Sequence, residues 1–302
     1  MDRMRVRTDL ALEARESFEG SDTEVHGVVV EEQYEEDLDL KITRVKILSE
    51  RGAREMGKPV GTYLTLEAPG MAVPDEDYHR EISEALAKCF KELAREWKDR
   101  SVLVVGLGNR DVTPDALGPK AVSNLMITRH LFREYGREAM GMEQASAVSG
   151  IAPGVMAQTG METLEIIQGV IDQTSPDLLV VIDALAARST RRLGRTIQLT
   201  DTGIQPGSGV GNHRGSLTRE SLGIPVIAIG VPTVVDAATI VGDALEKLLK
   251  EESGFDRMKY MGQHLGIFSE FNNMYMTGKD IDAVVKMVSF TLSEGINIAL
   301  DL

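Results

Sequence analysis

Short apolar segments that alternate with helical patterns limit the fold of this 302-residue chain more than any other feature. Four such segments have apolar residues on both faces: 101–105, 145–148, 178–182 and 225–229. Helical patterns separate and follow them at 119–135, 162–173, 237–250 and 280–300. Strands that are buried on both faces and joined through helices form parallel sheets. The sequence therefore predicts an α/β fold with a mainly parallel sheet sandwiched by helices.

The residues before this alternation predict peripheral structure. Apolar and polar side chains alternate at 40–48 and 63–66, which predicts a small additional β-sheet before the main domain. The acidic stretch that follows Val28 favours an exposed strand over an interaction tail. Apolar positions three and four residues apart from 75 to 97 predict an amphipathic helix. No repeat or linker divides the chain, so we expect one elaborated domain.

Charge and cysteine content exclude several classes of function. The chain carries 33 Lys and Arg against 47 Asp and Glu, a net charge of −14 that disfavours direct nucleic-acid binding. The single cysteine, Cys89, cannot form an internal disulfide and is expected to be a buried apolar residue. No apolar run approaches the ~18–20 residues that span a bilayer. The first residues do not resemble a secretory signal, so a cytoplasmic location is expected.

Two aspartates follow predicted strands and are the candidates for chemistry. Asp115 lies in the segment 106–119 (GLGNRDVTPDALGP), and Asp183 opens the segment 183–188 (DALAAR). Ligands of parallel α/β sheets collect at the carboxyl ends of the strands. Two carboxylates that meet there raise one another's proton affinity and share a proton, which is the chemistry of aspartic proteases. The alternative is structural, since both residues could cap helices or turns.

Other candidate sites carry weaker signals. The glycines of segment 106–119 do not have the G-x-G-x-x-G spacing of dinucleotide loops. The glycine-rich stretch 201–215 is expected to be an irregular functional loop, and its His213 has no partner at metal-ligand spacing. Arg188 belongs to a cationic cluster near Asp183, which is either a solvated surface or a site for an acidic substrate side chain.

Five segments closely resemble the germination protease family of spore-forming bacteria. They are 104–109 (VVGLGN), 112–119 (VTPDALGP), 182–189 (IDALAARS), 207–212 (GSGVGN) and 230–237 (GVPTVVDA). The resemblance implies an atypical aspartic endopeptidase that degrades small acid-soluble spore proteins during germination, in the spore core. It also implies Asp115 and Asp183 as the catalytic pair, a fold related to the nickel-binding hydrogenase-maturation proteases, and no cofactor. Nucleic acid and membranes are not expected as direct partners.

The same resemblance implies a self-processing precursor. Residues 7–11 (RTDLA) resemble the family's processing site, with cleavage expected between Asp9 and Leu10. Residues 1–9 would then be a propeptide and residues 10–302 the peptidase domain, assembled as a homotetramer. A frayed terminus is the alternative interpretation of residues 1–9.

Two further hypotheses remain open from the sequence. A metal-dependent maturation-type protease would bring His213, His130 or His264 to the acidic edge. A non-catalytic binding protein on the same scaffold would hold Asp115 and Asp183 more than about 8 Å apart, too far to share one proton or water.

Overall fold

A computed structural model describes residues 8–16, 26–94, 100–205, 215–251, 271 and 274–302. The described strands are β1 (Val28–Glu35), β2 (Leu40–Ile47), β3 (Gly61–Glu67), β4 (Ser101–Gly106), β5 (Ala147–Ile151), β6 (Leu178–Ala187), β7 (Thr196–Thr200), β8 (Val226–Asp236) and β9 (Tyr275–Met276). The described helices are α1 (Ala11–Glu16), α2 (Glu50–Met56), α3 (Glu76–Leu93), α4 (Leu117–Asn124), α5 (Arg129–Tyr135), α6 (Met156–Thr159), α7 (Thr163–Thr174), α8 (Arg219–Leu222), α9 (Ala237–Glu251) and α10 (Ile281–Ala299). Single 3-10 turns cover Glu36–Leu38, Pro69–Ala72, Thr113–Asp115, Glu138–Met140 and Thr190–Arg192.

The described strands form one nine-stranded sheet. Its order is β1-β2-β3-β7-β8-β6-β4-β5, with β9 paired to β8. The central strands β8, β6, β4 and β5 pair in parallel, whereas β1, β2, β3 and β7 pair antiparallel, and β7 also meets β8 antiparallel. The sheet is therefore parallel at its centre and antiparallel on the side of the N-terminal strands.

Helices cover both faces of the central strands. Val180 and Ile182 of β6 belong to a core built with α3, α4 and α10, while Leu179 and Val181 face Ile167 of α7. This alternation follows from the two-residue period of a strand, which sends successive side chains to opposite faces. Both faces are apolar, as a parallel sheet buried on both sides requires.

The structure confirms the α/β class and the layer of helices on each face. The predicted small β-sheet is not separate, because β3 pairs with β7 and thereby joins the N-terminal strands to the main sheet. The expectation of a mainly parallel sheet holds for the four central strands. The predicted helix 119–135 is divided into α4 and α5 by Leu125, whose backbone is extended.

Several local predictions are confirmed. Strand β1 is an exposed edge strand, as its acidic residues indicate. Asp75 caps α3 by accepting a hydrogen bond from the Tyr78 N–H, and Cys89 is buried in this helix. No helix among the described residues has the length and apolar character needed to cross a bilayer.

Candidate active site at the carboxyl edge of the parallel strands

Three glycines allow the backbone after β4 to pack tightly against neighbouring backbone. A Cβ atom at Gly118 would lie 2.4 Å from the Leu107 oxygen and 2.6 Å from the Ile182 oxygen. A Cβ atom at Gly106 would lie 2.2 Å from the Gly118 oxygen. Gly108 has a φ of +112°, and its Cβ atom would lie 1.9 Å from the Asp115 oxygen. These glycines serve backbone packing, which explains a G-x-G sequence without dinucleotide spacing.

This packing brings Asp115 and Asp183 to the same edge of the sheet. The Leu107 N–H donates a 2.8 Å hydrogen bond to the carbonyl of Ile182, the residue before Asp183. The next residue, Gly108, lies directly against Asp115, since a Cβ atom there would be 3.0 Å from the Asp115 Oδ1. We call the end of β4, residues 107–118, and Ile182 and Asp183 of β6 the aspartate edge. The two carboxylates that the sequence singled out are thus linked through two consecutive residues, Leu107 and Gly108.

Backbone N–H groups orient both carboxylates. Asp115 ends a 3-10 turn, and its Oδ2 accepts a 2.7 Å hydrogen bond from the Asn109 N–H. Asp183 is 8% exposed, and its Oδ1 accepts a 2.9 Å hydrogen bond from the adjacent Ala184 N–H. Such bonds hold a carboxylate in a fixed orientation. The structural alternative for Asp183, satisfaction of a backbone N–H, is thus also met, although Asp183 lies within β6 and not after its strand as the sequence predicts. It does not exclude a chemical role.

Asp183 also lies in a row of residues that runs across three strands. Asp183 pairs with Gly230 of β8, and Gly230 pairs with Gln198 of β7. Cross-strand partners point to the same face, so Gln198 and Asp183 flank the side-chain-free Gly230 at a Cα separation of about 10 Å. The Leu185 side chain occupies the space above Gly230, because a Cβ atom there would lie 2.5 Å from the Leu185 Cγ.

Residues 8–16, which we call the N-terminal segment, lie on this same face. The Asp9 N–H donates to the Ala186 carbonyl at 3.0 Å, and the Asp9 Oδ2 accepts from the Ala186 N–H at 2.9 Å. The Asp9 carbonyl accepts from Lys58 Nζ at 2.8 Å and from Gln198 Nε2 at 3.3 Å. Burial lowers the pKa of Lys58, while the charges of Asp9 and Glu13 oppose this effect. The carbonyl of the predicted cleavage site is therefore held by two side-chain donors.

The residue after the predicted cleavage position is fully buried. Leu10 packs against Leu185, Ala187 and Val235 and has no exposed surface. In this conformation the Leu10 side of the Asp9–Leu10 peptide bond is inaccessible to solvent and to a protease. Access to this bond would require the main chain at Asp9 to move away from Ala186.

Charged side chains hold α1 against the body of the protein. Arg192 lies 3.0 Å from Glu13, 2.5 Å from Glu16 and 3.1 Å from Glu67. The Glu13 side chain is 2% exposed and that of Arg192 is 11% exposed. The Glu13 carboxylate also accepts hydrogen bonds from the N–H groups of Arg188 and Ser189, at 2.7 and 3.0 Å. A buried ion cluster thus joins the N-terminal segment to the residues that follow β6.

The remaining predicted site residues have these positions. Arg188 forms a two-pronged ion pair with Asp243 of α9, with Nε to Oδ2 at 2.9 Å and Nη2 to Oδ1 at 2.6 Å. A substrate carboxylate would have to displace that partner, so a binding role for Arg188 stays a prediction. His213 and His264 lie outside the described residues. His130 is on α5, and no cluster of three metal-ligating side chains occurs within the described part of the chain.

Sequence reasoning missed the side chains that hold the N-terminal segment. Lys58, Gln198 and Arg192 contact residues 49 to 189 positions away in the chain. No local pattern marks such pairs. The one available signal is the spacing of Glu13, three residues after Leu10 at the start of a helix.

The comparisons with known proteins agree on one family. The family model described as germination protease matches residues 6–260. A germination protease of Caldanaerobacter subterraneus subsp. tengcongensis is 50% identical and the match covers 98% of this chain and 94% of that protein. A germination protease of Clostridium perfringens is 44% identical, with 98% of this chain and 95% of that protein covered.

A solved structure also matches part of the chain, the nickel–iron hydrogenase maturation protease HycI of Thermococcus kodakarensis. The identity is 20%, the match covers 48% of this chain and 80% of that chain, and the TM-score is 0.30. This likeness is too low to support an argument about site or activity. The family model and the curated relatives, by contrast, cover most of the chain, and they confirm the resemblance of its motifs: the chain belongs to the germination protease family.

Proposed function

We propose that this protease is an aspartic-type endopeptidase in which Asp115 and Asp183 activate a water molecule. One observation carries the proposal: the Leu107–Ile182 hydrogen bond and the Gly108–Asp115 contact bring the two carboxylates to one edge of the sheet. Close carboxylates share a proton, because the first ionisation disfavours the second.

In the proposed reaction the ionised carboxylate acts as the base and the protonated carboxyl group acts as the acid. The ionised carboxylate takes a proton from water while the oxygen of that water attacks the peptide carbonyl carbon, and the protonated carboxyl group donates its proton to the carbonyl oxygen. The tetrahedral intermediate then breaks its carbon–nitrogen bond: the carboxyl group that took the water proton gives it to the amine, while the other, now ionised, carboxylate takes a proton from a hydroxyl group of the intermediate. Either aspartate can begin as the base, since the proton belongs to the pair.

The proposed substrates are the small acid-soluble spore proteins, cleaved during germination in the spore core by a homotetramer. Support comes from membership of the germination protease family and from motifs that resemble this family along most of the chain. The proposed enzyme is made as a precursor that cleaves itself between Asp9 and Leu10. The full burial of Leu10 supports a precursor in which this bond is not yet accessible.

The experiment replaces each aspartate separately in the full chain. We expect Asp115→Asn and Asp183→Asn to abolish removal of residues 1–9, measured as the mass of the N-terminal peptide during incubation at mildly acidic pH. Both should also lose cleavage of a purified small acid-soluble spore protein by at least about 10³-fold, a loss of the order seen when a group essential to acid–base catalysis is removed.

The matched control is Asp111→Asn, which changes an exposed aspartate of the same loop that accepts a hydrogen bond from Gln158. This variant should process normally. Processing that persists in both Asp115→Asn and Asp183→Asn would refute the assignment, provided that circular dichroism shows folded protein.

A further inference from the structure

The Thr8 hydroxyl lies between the Leu10 N–H and the Glu13 carboxylate, two groups that processing would leave facing each other. The Leu10 N–H donates to the Thr8 Oγ1 at 3.1 Å, and the Thr8 hydroxyl in turn donates to a carboxylate oxygen of Glu13. Thr8 is on the side of the proposed cleavage that departs, whereas Leu10 and Glu13 remain. Cleavage therefore replaces a neutral amide and a hydroxyl with an α-ammonium group next to a carboxylate.

The Glu13 carboxylate is fixed in place before this exchange. Its Oε2 accepts from the Arg188 N–H and its Oε1 from the Ser189 N–H. Arg192 lies 3.0 Å from Oε1, and the Glu13 side chain is almost fully buried. These contacts stay when residues 1–9 leave, since none of them comes from those residues. The carboxylate thus keeps its orientation and loses the Thr8 hydroxyl.

Leu10 is also fixed. Its side chain is fully buried against Leu185, Ala187 and Val235, so the new chain end cannot move far without exposing it. A glutamate at the third position of a helix can reach back to the main-chain nitrogen of the residue that precedes the helix. Leu10 precedes α1, and Glu13 is its third residue. The nitrogen and the carboxylate are therefore within reach of each other.

We propose that processing creates an ion pair between the α-ammonium group of Leu10 and the carboxylate of Glu13. Glu13 is then a positioning residue that ties the new N-terminus to the end of β6, the strand that carries Asp183. The inference rests on the proposed cleavage between Asp9 and Leu10. It adds to that proposal a partner for the new chain end.

Other charged side chains near the Leu10 ammonium group and Glu13 strengthen or weaken the proposed ion pair. Lys58 donates to the Thr8 and Asp9 carbonyls before processing and loses both acceptors afterwards. Lys58 and Arg192 are cations that compete for Glu13 and oppose a second ammonium group. Glu16 and Glu67 bind Arg192 and reduce its effect. Arg15 lies on α1 itself.

The test uses a processed chain made without its own activity. A cleavable carrier protein is fused directly before Leu10 and removed so that no extra residue remains. The pKa of the Leu10 amine is measured by competitive acylation at a series of pH values, with mass spectrometry of the N-terminal peptide. Because this chain needs no self-processing, failure of the catalytic proposal would leave the measurement unaffected.

We expect Glu13→Gln to lower the pKa of the Leu10 amine by about one unit or more, the effect of removing an opposite charge within ~4–6 Å. The matched control Glu16→Gln changes another glutamate of α1, which acts on the amine only through Arg192, and should lower the pKa by much less than Glu13→Gln does. An amine with the same pKa in the wild-type and Glu13→Gln chains would overturn the proposal.

A second measurement does not depend on the folding of Glu13→Gln. One additional glycine before Leu10 moves the ammonium group away from Glu13 without changing any native side chain. We expect this chain to melt at a lower temperature than the chain that begins at Leu10. The difference should be present below about pH 8, the ordinary range of an α-amino group, and disappear as the pH rises through the raised pKa. Equal melting temperatures below pH 8 would refute the ion pair.

Discussion

The aspartate edge includes part of strand β6, and the N-terminal segment contacts the same strand. Different kinds of contact hold the two regions in place. At the aspartate edge, Gly106, Gly108 and Gly118 let main-chain atoms approach so closely that a single Cβ atom would not fit. The N-terminal segment is held by the charged side chains of Lys58 and Arg192, together with Gln198. Main-chain atoms packed this closely cannot rotate away, whereas the ion pairs and hydrogen bonds of side chains can exchange partners.

This difference matches what each region has to do in the proposed precursor. Carboxylates that share a proton need fixed positions, because catalysis depends on geometry held to a fraction of an ångström. A segment that is cut and partly released needs contacts that can be broken. We therefore expect changes at the aspartate edge to affect stability most, and changes around the N-terminal segment to affect the release of residues 8 and 9.

The largest expected effect is that of Gly118→Ala. Its Cβ atom would meet main-chain atoms of Leu107 and Ile182, which cannot rotate away, so we expect a loss of about 4 kcal/mol in the free energy of unfolding, above the usual cost of overpacking. Urea denaturation measures this. The control is Gly169→Ala in α7, where nothing lies within 4 Å and alanine should stabilise the helix by about 0.5–1 kcal/mol. A Gly118→Ala chain as stable as wild type would show that this backbone packing adapts.

A smaller loss in the free energy of unfolding is expected for Arg192→Met. The substitution leaves the buried Glu13 carboxylate without its cation, and removing one partner of a buried ion pair costs about 3 kcal/mol. Thermal and urea denaturation check the value. The matched control is Arg51→Met, which removes an exposed pair with Glu55 and should cost less than about 0.5 kcal/mol. Equal costs for the two variants would contradict a buried charged cluster at α1.

The smallest effect on stability is expected for Lys58→Met, whose main result is faster processing. Loss of the ammonium donor to the Asp9 carbonyl loosens the N-terminal segment, and removal of residues 1–9 should accelerate about tenfold, corresponding to ~1.4 kcal/mol of lost hydrogen bonding. The rate is followed by the mass of the N-terminal peptide. Unchanged or slower processing would indicate that release of the segment does not limit the reaction, or that Lys58 assists the cleavage itself.

The pH dependence of the same variant gives a second check. Burial lowers the pKa of Lys58, so its charged form costs stability at neutral pH and this cost is relieved as the pH rises towards the ordinary value near 10.4. The stability of the wild-type precursor should therefore increase relative to Lys58→Met between neutral pH and pH 10. A constant difference would show that Lys58 does not titrate differently in the folded state.

Much of the centre of the fold could be predicted from the sequence because its signals are local. Apolar runs and helical periodicity located β4, β6, β8, α7 and α10 to within a few residues at their starts. The strands β6 and β8 extend well past their predicted ends, because Ala184–Ala187 and Val231–Val235 continue to pair with each other beyond the predicted runs. In β6 the alanines after Asp183 carry little strand preference, and in β8 Gly230 and Pro232 interrupt the apolar run.

The candidate site was only partly predictable, for a related reason. Asp115 and Asp183 could be identified because both follow apolar runs that predict strands of a parallel sheet, although β6 itself continues past Asp183 to Ala187. The contacts of Asp9, Leu10 and Glu13 could not, since they depend on how residues 8–16 meet the end of β6 and the residues after it. Strand β7 was also missed: five residues with polar Gln198 at their centre have no clear strand pattern, and they pair because they fill the gap between β3 and β8.

That short strand has a consequence for the order in which the molecule can be assembled. Residues Tyr63–Glu67 of β3 pair with Thr196–Thr200 of β7, and β7 pairs with β8. Strands β1 to β3 therefore cannot join the main sheet until most of the chain has left the ribosome. Pairings so distant in sequence slow folding and prolong the exposure of unpaired strand edges. A nascent chain that stalls before residue 200 would thus present the β3 edge to other chains, and aggregation during synthesis should depend on the speed of translation through that point.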